Sequence, residues 1–218
     1  AHNGMKARLI RPLDFLVIAD HAIQMGVLNG IEKGDPILLK SAEAKVLRSE
    51  FESMQKGKGK TDDKFYHRFL SGMWRQKVSD DQFNHSVWES VTALADKHNE
   101  PGNFTAFIGY EWTVAFNLHR VIIFRGDASK ANKITPFSAL DSRNPEDLWR
   151  FLENYSDQTN GEVLAIPHNG NLSVGVMFAL EDATGNSLSK HYAKTRNRWE
   201  PLYEVTQNKG DSETHPIL

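Results

Sequence analysis

The sequence predicts an α/β fold with a largely parallel sheet. Short apolar runs rich in strand formers recur along the chain, segments with apolar residues at helical spacing lie between them, and polar stretches containing Gly or Pro mark the joints. Neither an internal repeat nor a domain boundary interrupts residues 1–218, which read as one domain.

The first run, Leu13-Asp-Phe-Leu-Val-Ile-Ala19, ends abruptly in Asp20-His21 and reads as a buried strand. Residues 37–54 carry Leu38, Leu39, Ala42, Val46, Leu47, Phe51 and Met54 at spacings that suit an amphipathic helix stopping before Gly57. The Gly/Lys-rich stretch 56–63 reads as a loop. Ser79, with Asp80 and Asp81 after it, starts a second helix; Phe83, Val87, Val91, Leu94 and Ala95 line its apolar face, and Asn99-Glu-Pro-Gly102 ends it. Residues 105–110 form a second strand that stops at Glu111. Residues 119–125 form a third that begins at His119, and the two fit a hairpin-like pair. Asn144 before Pro145 caps a further helix, which presents Leu148, Trp149, Leu152 and Tyr155 on one face. Residues 163–166 make a fourth strand that runs into Pro167-His168-Asn169, and residues 202–206 a fifth, followed by a polar segment through His215.

Cysteine is absent, which excludes disulfides, thiolate metal sites and a cysteine nucleophile, and leaves any metal to His, Asp and Glu. The net charge of −2 comes with both signs spread along the chain, so neither a nucleic acid nor an anionic membrane is indicated as partner. No apolar run approaches the ~20 residues of a membrane span, and residues 1–12 lack the hydrophobic stretch of a signal peptide. A soluble protein is expected, with cytoplasmic and periplasmic or secreted placement both open.

In α/β folds the loops after the strands build the site, so an ionisable residue just past a strand is a stronger candidate than one in mid-helix. Asp20, His21, Glu111 and His168 all follow apolar runs, and a hairpin would bring His119 to the same end of the sheet as Glu111. A lone strand-end histidine is most often a satisfied polar residue. Four acidic or imidazole side chains after three separate apolar runs point instead to one shared site. Such oxygen and nitrogen ligands suit zinc, manganese or iron, which acidify a bound water. Asn169, with Asn171 and Ser173 in the same Gly-containing loop, could hold an anionic substrate group, and Arg120, Arg125 and Lys209 could balance its charge. Trp112, beside Glu111, is placed to wall a pocket, whereas Trp74, Trp88, Trp149 and Trp199 read as core. His2, His67, His85, His98 and His191 read as terminal, surface or packing residues.

Five ordered blocks carry a family resemblance: Arg11-Pro-Leu-Asp-Phe-Leu-Val-Ile-Ala-Asp-His21, Phe107-Ile-Gly-Tyr-Glu-Trp-Thr113, Asn117-Leu-His-Arg120, Ile166-Pro-His-Asn169 and Glu200-Pro-Leu-Tyr-Glu-Val-Thr-Gln-Asn-Lys-Gly-Asp-Ser-Glu-Thr-His-Pro216. Together they resemble the bacterial family known as domain of unknown function 3604, described as like the polymerase-and-histidinol-phosphatase (PHP) proteins. The resemblance implies a distorted β/α (TIM-like, PHP-type) barrel with a multinuclear site of divalent ions. Asp20-His21 is similar to the family's strand-end Asp-His motif, Glu111 to its metal-bridging acid, and His119 and His168 to its later histidine ligands. His215, with Asp211 and Glu213 nearby, ranks behind them. PHP-like proteins usually open with a His-x-His strand and close with an Asp-x-His motif. No His-x-His occurs here and the sequence stops before the second motif, so the resemblance implies a domain incomplete at both ends, with weakened metal binding. A strand edge left unpaired beside residues 13–19 would then invite self-association.

The expectation is a metal-dependent hydrolase that acts on a small-molecule ester of phosphate or a related oxyanion through a metal-activated water. Asp20, His21, Glu111, His119, His168 and His215 are its candidate ligands, Glu111 and His168 its candidate catalytic groups, and Arg120, Asn169 and Lys209 its candidate substrate contacts. Two rivals stand beside it: a binding module that keeps the fold without catalysis, and a nucleic-acid-processing PHP domain. The acidic balance and the lack of a basic stripe argue against the second.

Overall fold

Six residues, 113–118, separate the second and third apolar runs, too few for the crossover that parallel strands require. In a computed structural model of the chain, strand β2 (Thr105–Trp112) therefore turns back into β3 (His119–Arg125) as an antiparallel pair, with Glu111 opposite Val121. The model describes residues 9–56, 69, 72 and 77–212. Of the loop expected at 56–63, Lys56 closes a helix and residues 57–63 lie outside them, as do His2, His67, Trp74, Glu213 and His215.

β1 (Phe15–Val17) pairs parallel with β2, and the long connection between them holds α1 (Val27–Lys33), α2 (Ala42–Lys56) and α3 (Asp81–His98). β3 pairs antiparallel with β4 (Glu162–His168) across a connection containing α4 (Ala128–Ala131) and α5 (Pro145–Thr159). The strand order is β1-β2-β3-β4. The α/β class holds, but the expectation of a largely parallel sheet does not, because only the β1–β2 pairing is parallel and β3 pairs antiparallel with both of its neighbours. Among the described residues the sheet is open, and no barrel closes.

Several elements follow the sequence closely. α2 ends at Lys56, one residue before Gly57. Asp80, rather than Ser79, caps α3, its carboxylate accepting the Phe83 N–H at 2.8 Å. α5 starts at Pro145 and buries Leu148, Trp149, Leu152 and Tyr155. On β2 and β3, Ile108, Tyr110, Trp112, Ile122 and Phe124 share the face that meets these helices. Trp88 of α3 stands edge-on to Tyr110 at 5.8 Å, and Phe124 edge-on to Tyr155 of α5 at 4.9 Å, so aromatic contacts bind the two helices to one side of the sheet.

Two expectations fail for a shared reason. The run at 13–19 is not a buried strand: β1 keeps three residues, sits at the sheet edge, and leaves Phe15, Leu16 and Ile18 exposed. An apolar run predicts burial only if something covers it, and no described residue covers this edge closely enough. That uncovered edge is the feature on which the expected self-association rests. Residues 202–205 likewise do not form a strand; β5 (Thr206–Gln207) pairs only with β6 (Gly210–Asp211), while Leu202 and Val205 stay exposed. That segment instead touches the end of β4, where the Glu204 N–H donates to the Pro167 carbonyl at 3.3 Å. A last helix, α6 (Lys190–Trp199), packs against α5 and β4. No helix among the described residues is long and apolar enough to cross a membrane.

Candidate functional site

Alternation along β2 puts Glu111 on the face opposite Trp112, away from the packed helices. His119 lies two residues before Val121, the partner of Glu111, and so shares that face. His168 stands directly opposite His119 in the β3–β4 register. Beyond β1 the chain rejoins β2: the Glu111 N–H donates to the Asp20 carbonyl at 2.8 Å, and the Ala22 N–H to the Glu111 carbonyl at 2.8 Å. Those two bonds bring His21 beside the Glu111 side chain. Three strands and one strand extension thus deliver Glu111 and three histidines to one end of the sheet.

The Glu111 carboxylate is 9 % exposed and serves two imidazoles. Oε2 accepts from His21 Nδ1 at 2.8 Å, and Oε1 is in contact with His119 Nδ1. His21 Nδ1 also lies 2.6 Å from Thr113 Oγ1. The His119 ring is 6.4 Å from that of His21 and 6.3 Å from that of His168. His168 has its own acid: Nδ1 donates to Glu204 Oε1 at 2.6 Å. Glu204 Oε2 accepts the Asn169 backbone N–H at 2.9 Å and Gln207 Nε2 at 3.0 Å. Gln207 Nε2 also donates to Asn169 Oδ1 at 2.6 Å, which turns the Asn169 Nδ2 toward His119 Nδ1 at 3.3 Å. Two groups therefore address His119 Nδ1. The bond to the ionised Glu111 is the stronger, so the Nδ1 proton goes to Glu111, and the Asn169 NH2, itself a donor, makes a contact there and no hydrogen bond.

Burial works to raise the Glu111 pKa, but hydrogen bonds and charge from His119 and His21 outweigh it and hold the carboxyl at about 2. The His21 imidazole is pushed above its ordinary value by its bond to Glu111, against a smaller opposing effect of burial; the Asp20 charge adds to the rise and the Lys209 charge subtracts from it. Asp20 thus reaches the site through its backbone carbonyl and its field, with its side chain exposed. Lys209, in the turn between β5 and β6, is close enough for its ammonium to act on His21.

Other candidates have different places. Arg120 is not at the site: it points to the helix-packed face, 1 % exposed, with Nε 2.9 Å from Glu200 Oε1 and its guanidinium over Trp112. Trp112 is fully buried there, against the helices. Arg125 pairs with Glu162 at the other end of β3. Asn169 is buried within the network just described, and Ser173 is buried with its hydroxyl donating to the Gly170 carbonyl. Asn171 is exposed. His215 lies outside the described residues. Sequence reasoning missed Thr113, Glu204 and Gln207. The signal for Glu204 was present, since it too is an acid placed after an apolar pair, Leu202 and Tyr203.

Among the described residues no group of three or more His, Asp or Glu side chains is spaced to hold a metal ion as it stands. The donors face one another across hydrogen bonds rather than a common point. Their chemistry nevertheless fits a divalent ion. Each of the three histidines spends Nδ1 on a carboxylate, which leaves the Nε2 lone pair of its neutral form for a ligand, and each Glu111 oxygen keeps a second lone pair. Imidazole and carboxylate donors without thiolate suit zinc, manganese or iron.

The chain matches, over residues 1–218, the family model described as protein of unknown function (DUF3604), and it belongs to that family. No curated protein and no solved structure matches it.

Proposed function

We propose that this DUF3604 protein is a metal-dependent hydrolase of the PHP-like class, cleaving a small-molecule ester of phosphate or a related oxyanion. One observation carries the reading: three histidines at one end of the sheet each give Nδ1 to a buried or half-buried carboxylate, the arrangement by which proteins orient imidazoles for a cation. A bound divalent ion supplies Lewis acidity and acidifies a water to the point of attack near neutral pH.

The chain's own residues do the rest. Glu111, ionised down to about pH 2, balances positive charge at every physiological pH. His168, with Nδ1 fixed on Glu204, offers Nε2 for ligation or proton transfer. Lys209 brings positive charge near His21, which would draw an anionic ester group. Arg120 has no part in substrate contact, because its guanidinium is already paired and buried.

A panel of aryl phosphate, sulfate and carboxylate esters tests the proposal. The protein loaded with zinc, manganese or iron should hydrolyse at least one oxyanion ester, and a chelator should abolish the rate. Rates that are uniformly indifferent to metal would end the reading and favour a binding module with the same fold.

A further inference from the structure

We propose that Glu204 is a positioning residue of this site, holding His168 in the Nδ1–H form and fixing the amide orientations of Gln207 and Asn169 between His168 and His119. The inference rests on the metal-site reading but concerns proton positions in the metal-free protein, which can be measured by themselves.

An ionised carboxylate only accepts hydrogen bonds. Glu204 Oε1, 2.6 Å from His168 Nδ1, therefore demands a proton on that nitrogen, and in the neutral imidazole the lone pair falls to Nε2. Glu204 Oε2 makes the same demand of its two neighbours. It takes the Asn169 backbone N–H at 2.9 Å, which pins the residue after His168, and it takes Gln207 Nε2 at 3.0 Å, which rules out the flipped orientation of that amide. With its nitrogen so fixed, Gln207 donates also to Asn169 Oδ1 at 2.6 Å. Asn169 must then present its NH2 to His119. One carboxylate thus settles the His168 tautomer and two amide orientations, and does so from a segment without regular secondary structure.

The location is as informative as the bonding. Glu204 is held near β4 by the bond from its N–H to the Pro167 carbonyl, and Gln207 belongs to the β5–β6 hairpin that carries Lys209. The same carboxylate consequently ties the hairpin to the histidine strands. Its substitution by glutamine keeps shape and one acceptor oxygen, but places an NH2 either where two donors now converge or against His168 Nδ1.

The test uses wild type and Glu204→Gln as full chains. Long-range 1H–15N spectra at about pH 8, above the ordinary imidazole range, report the His168 tautomer without metal, with His168→Gln as the assignment control. Calorimetric titration with Zn2+ alone reports affinity, and circular dichroism reports the fold. The proposal expects His168 to be Nδ1–H in wild type and mixed in Glu204→Gln, with Zn2+ affinity lowered roughly 10- to 100-fold and the spectrum of the fold retained. A wild-type His168 protonated on Nε2 would overturn it, even if the variant failed to fold. So would an unchanged tautomer in a folded variant. Wild type that binds no Zn2+ would remove the metal reading, while the tautomer measurement would still decide the role of Glu204.

Discussion

Two buried carboxylates on opposite faces of the same sheet each pair with two basic side chains, and the difference between them separates scaffold from site. On the helix-packed face, Glu200 is 1 % exposed, pairs with Arg120 at 2.9 Å and Arg196 at 3.0 Å, and accepts the Trp149 indole N–H at 2.9 Å. On the other face, Glu111 serves His21 and His119, and the His21 side chain is 59 % exposed. The residues that meet these acids, His119 and Arg120, are neighbours in sequence and diverge only because a strand alternates. Arginine stays charged at any ordinary pH, so the Glu200 cluster is closed and permanent. Histidine gains and loses protons near neutrality and can face a ligand, so the Glu111 cluster is open and adjustable.

The largest effect should come from breaking the permanent cluster. Glu200→Gln leaves the buried Arg120 and the half-buried Arg196 without that counter-charge, and removing one partner of a buried pair costs roughly 3–5 kcal/mol. Denaturant titration should show a loss of that order. Glu111→Gln should cost less, about 1–2 kcal/mol, because each histidine can shed its proton when the carboxylate goes. Equal losses in the two variants would erase the distinction.

A smaller effect separates the clusters by pH. His21 is raised in the folded protein, so its contribution is full below its ordinary value of 6.5 and is lost as pH rises through the folded value. Glu111 is lowered, so its contribution is full above its ordinary 4.5 and is lost as pH falls toward about 2. Both contribute fully between those ordinary values. In metal-free protein, stability should therefore decline modestly from pH 6 toward alkaline pH, by under about 1 kcal/mol from His21 because solvent screens an imidazole so exposed. Urea midpoints across pH would measure this, and the decline should vanish in Glu111→Gln.

Much of this arrangement is legible in the sequence wherever local pattern and tertiary burial agree. The apolar face of α5 and the turn between β2 and β3 follow from periodicity and loop length. On α3, Trp88 and Thr92 are buried while Leu94 is exposed, since the aromatic contacts to Tyr110 and Phe124 decide which face turns inward. β1 reads as buried because its side chains are apolar, but burial depends on neighbours that a local run does not specify. Arg120 reads as a substrate contact from its place beside His119; strand alternation sends it to the other face, and Glu200, 80 residues later, accounts for its charge. Glu204 is hidden for a similar reason: its meaning depends on His168, 36 residues earlier, and on an irregular segment with no periodicity to read.

The central claim is that Glu111 and the histidines around it form a cation site, and metal stoichiometry tests it most directly. Wild type and Glu111→Gln would be loaded with zinc or manganese, desalted and assayed for bound metal, with folding checked by circular dichroism. Removing one negative charge at nearly constant volume should strip metal from a folded variant while wild type retains it. Equal metal content in the two proteins, or none in wild type, would contradict the account.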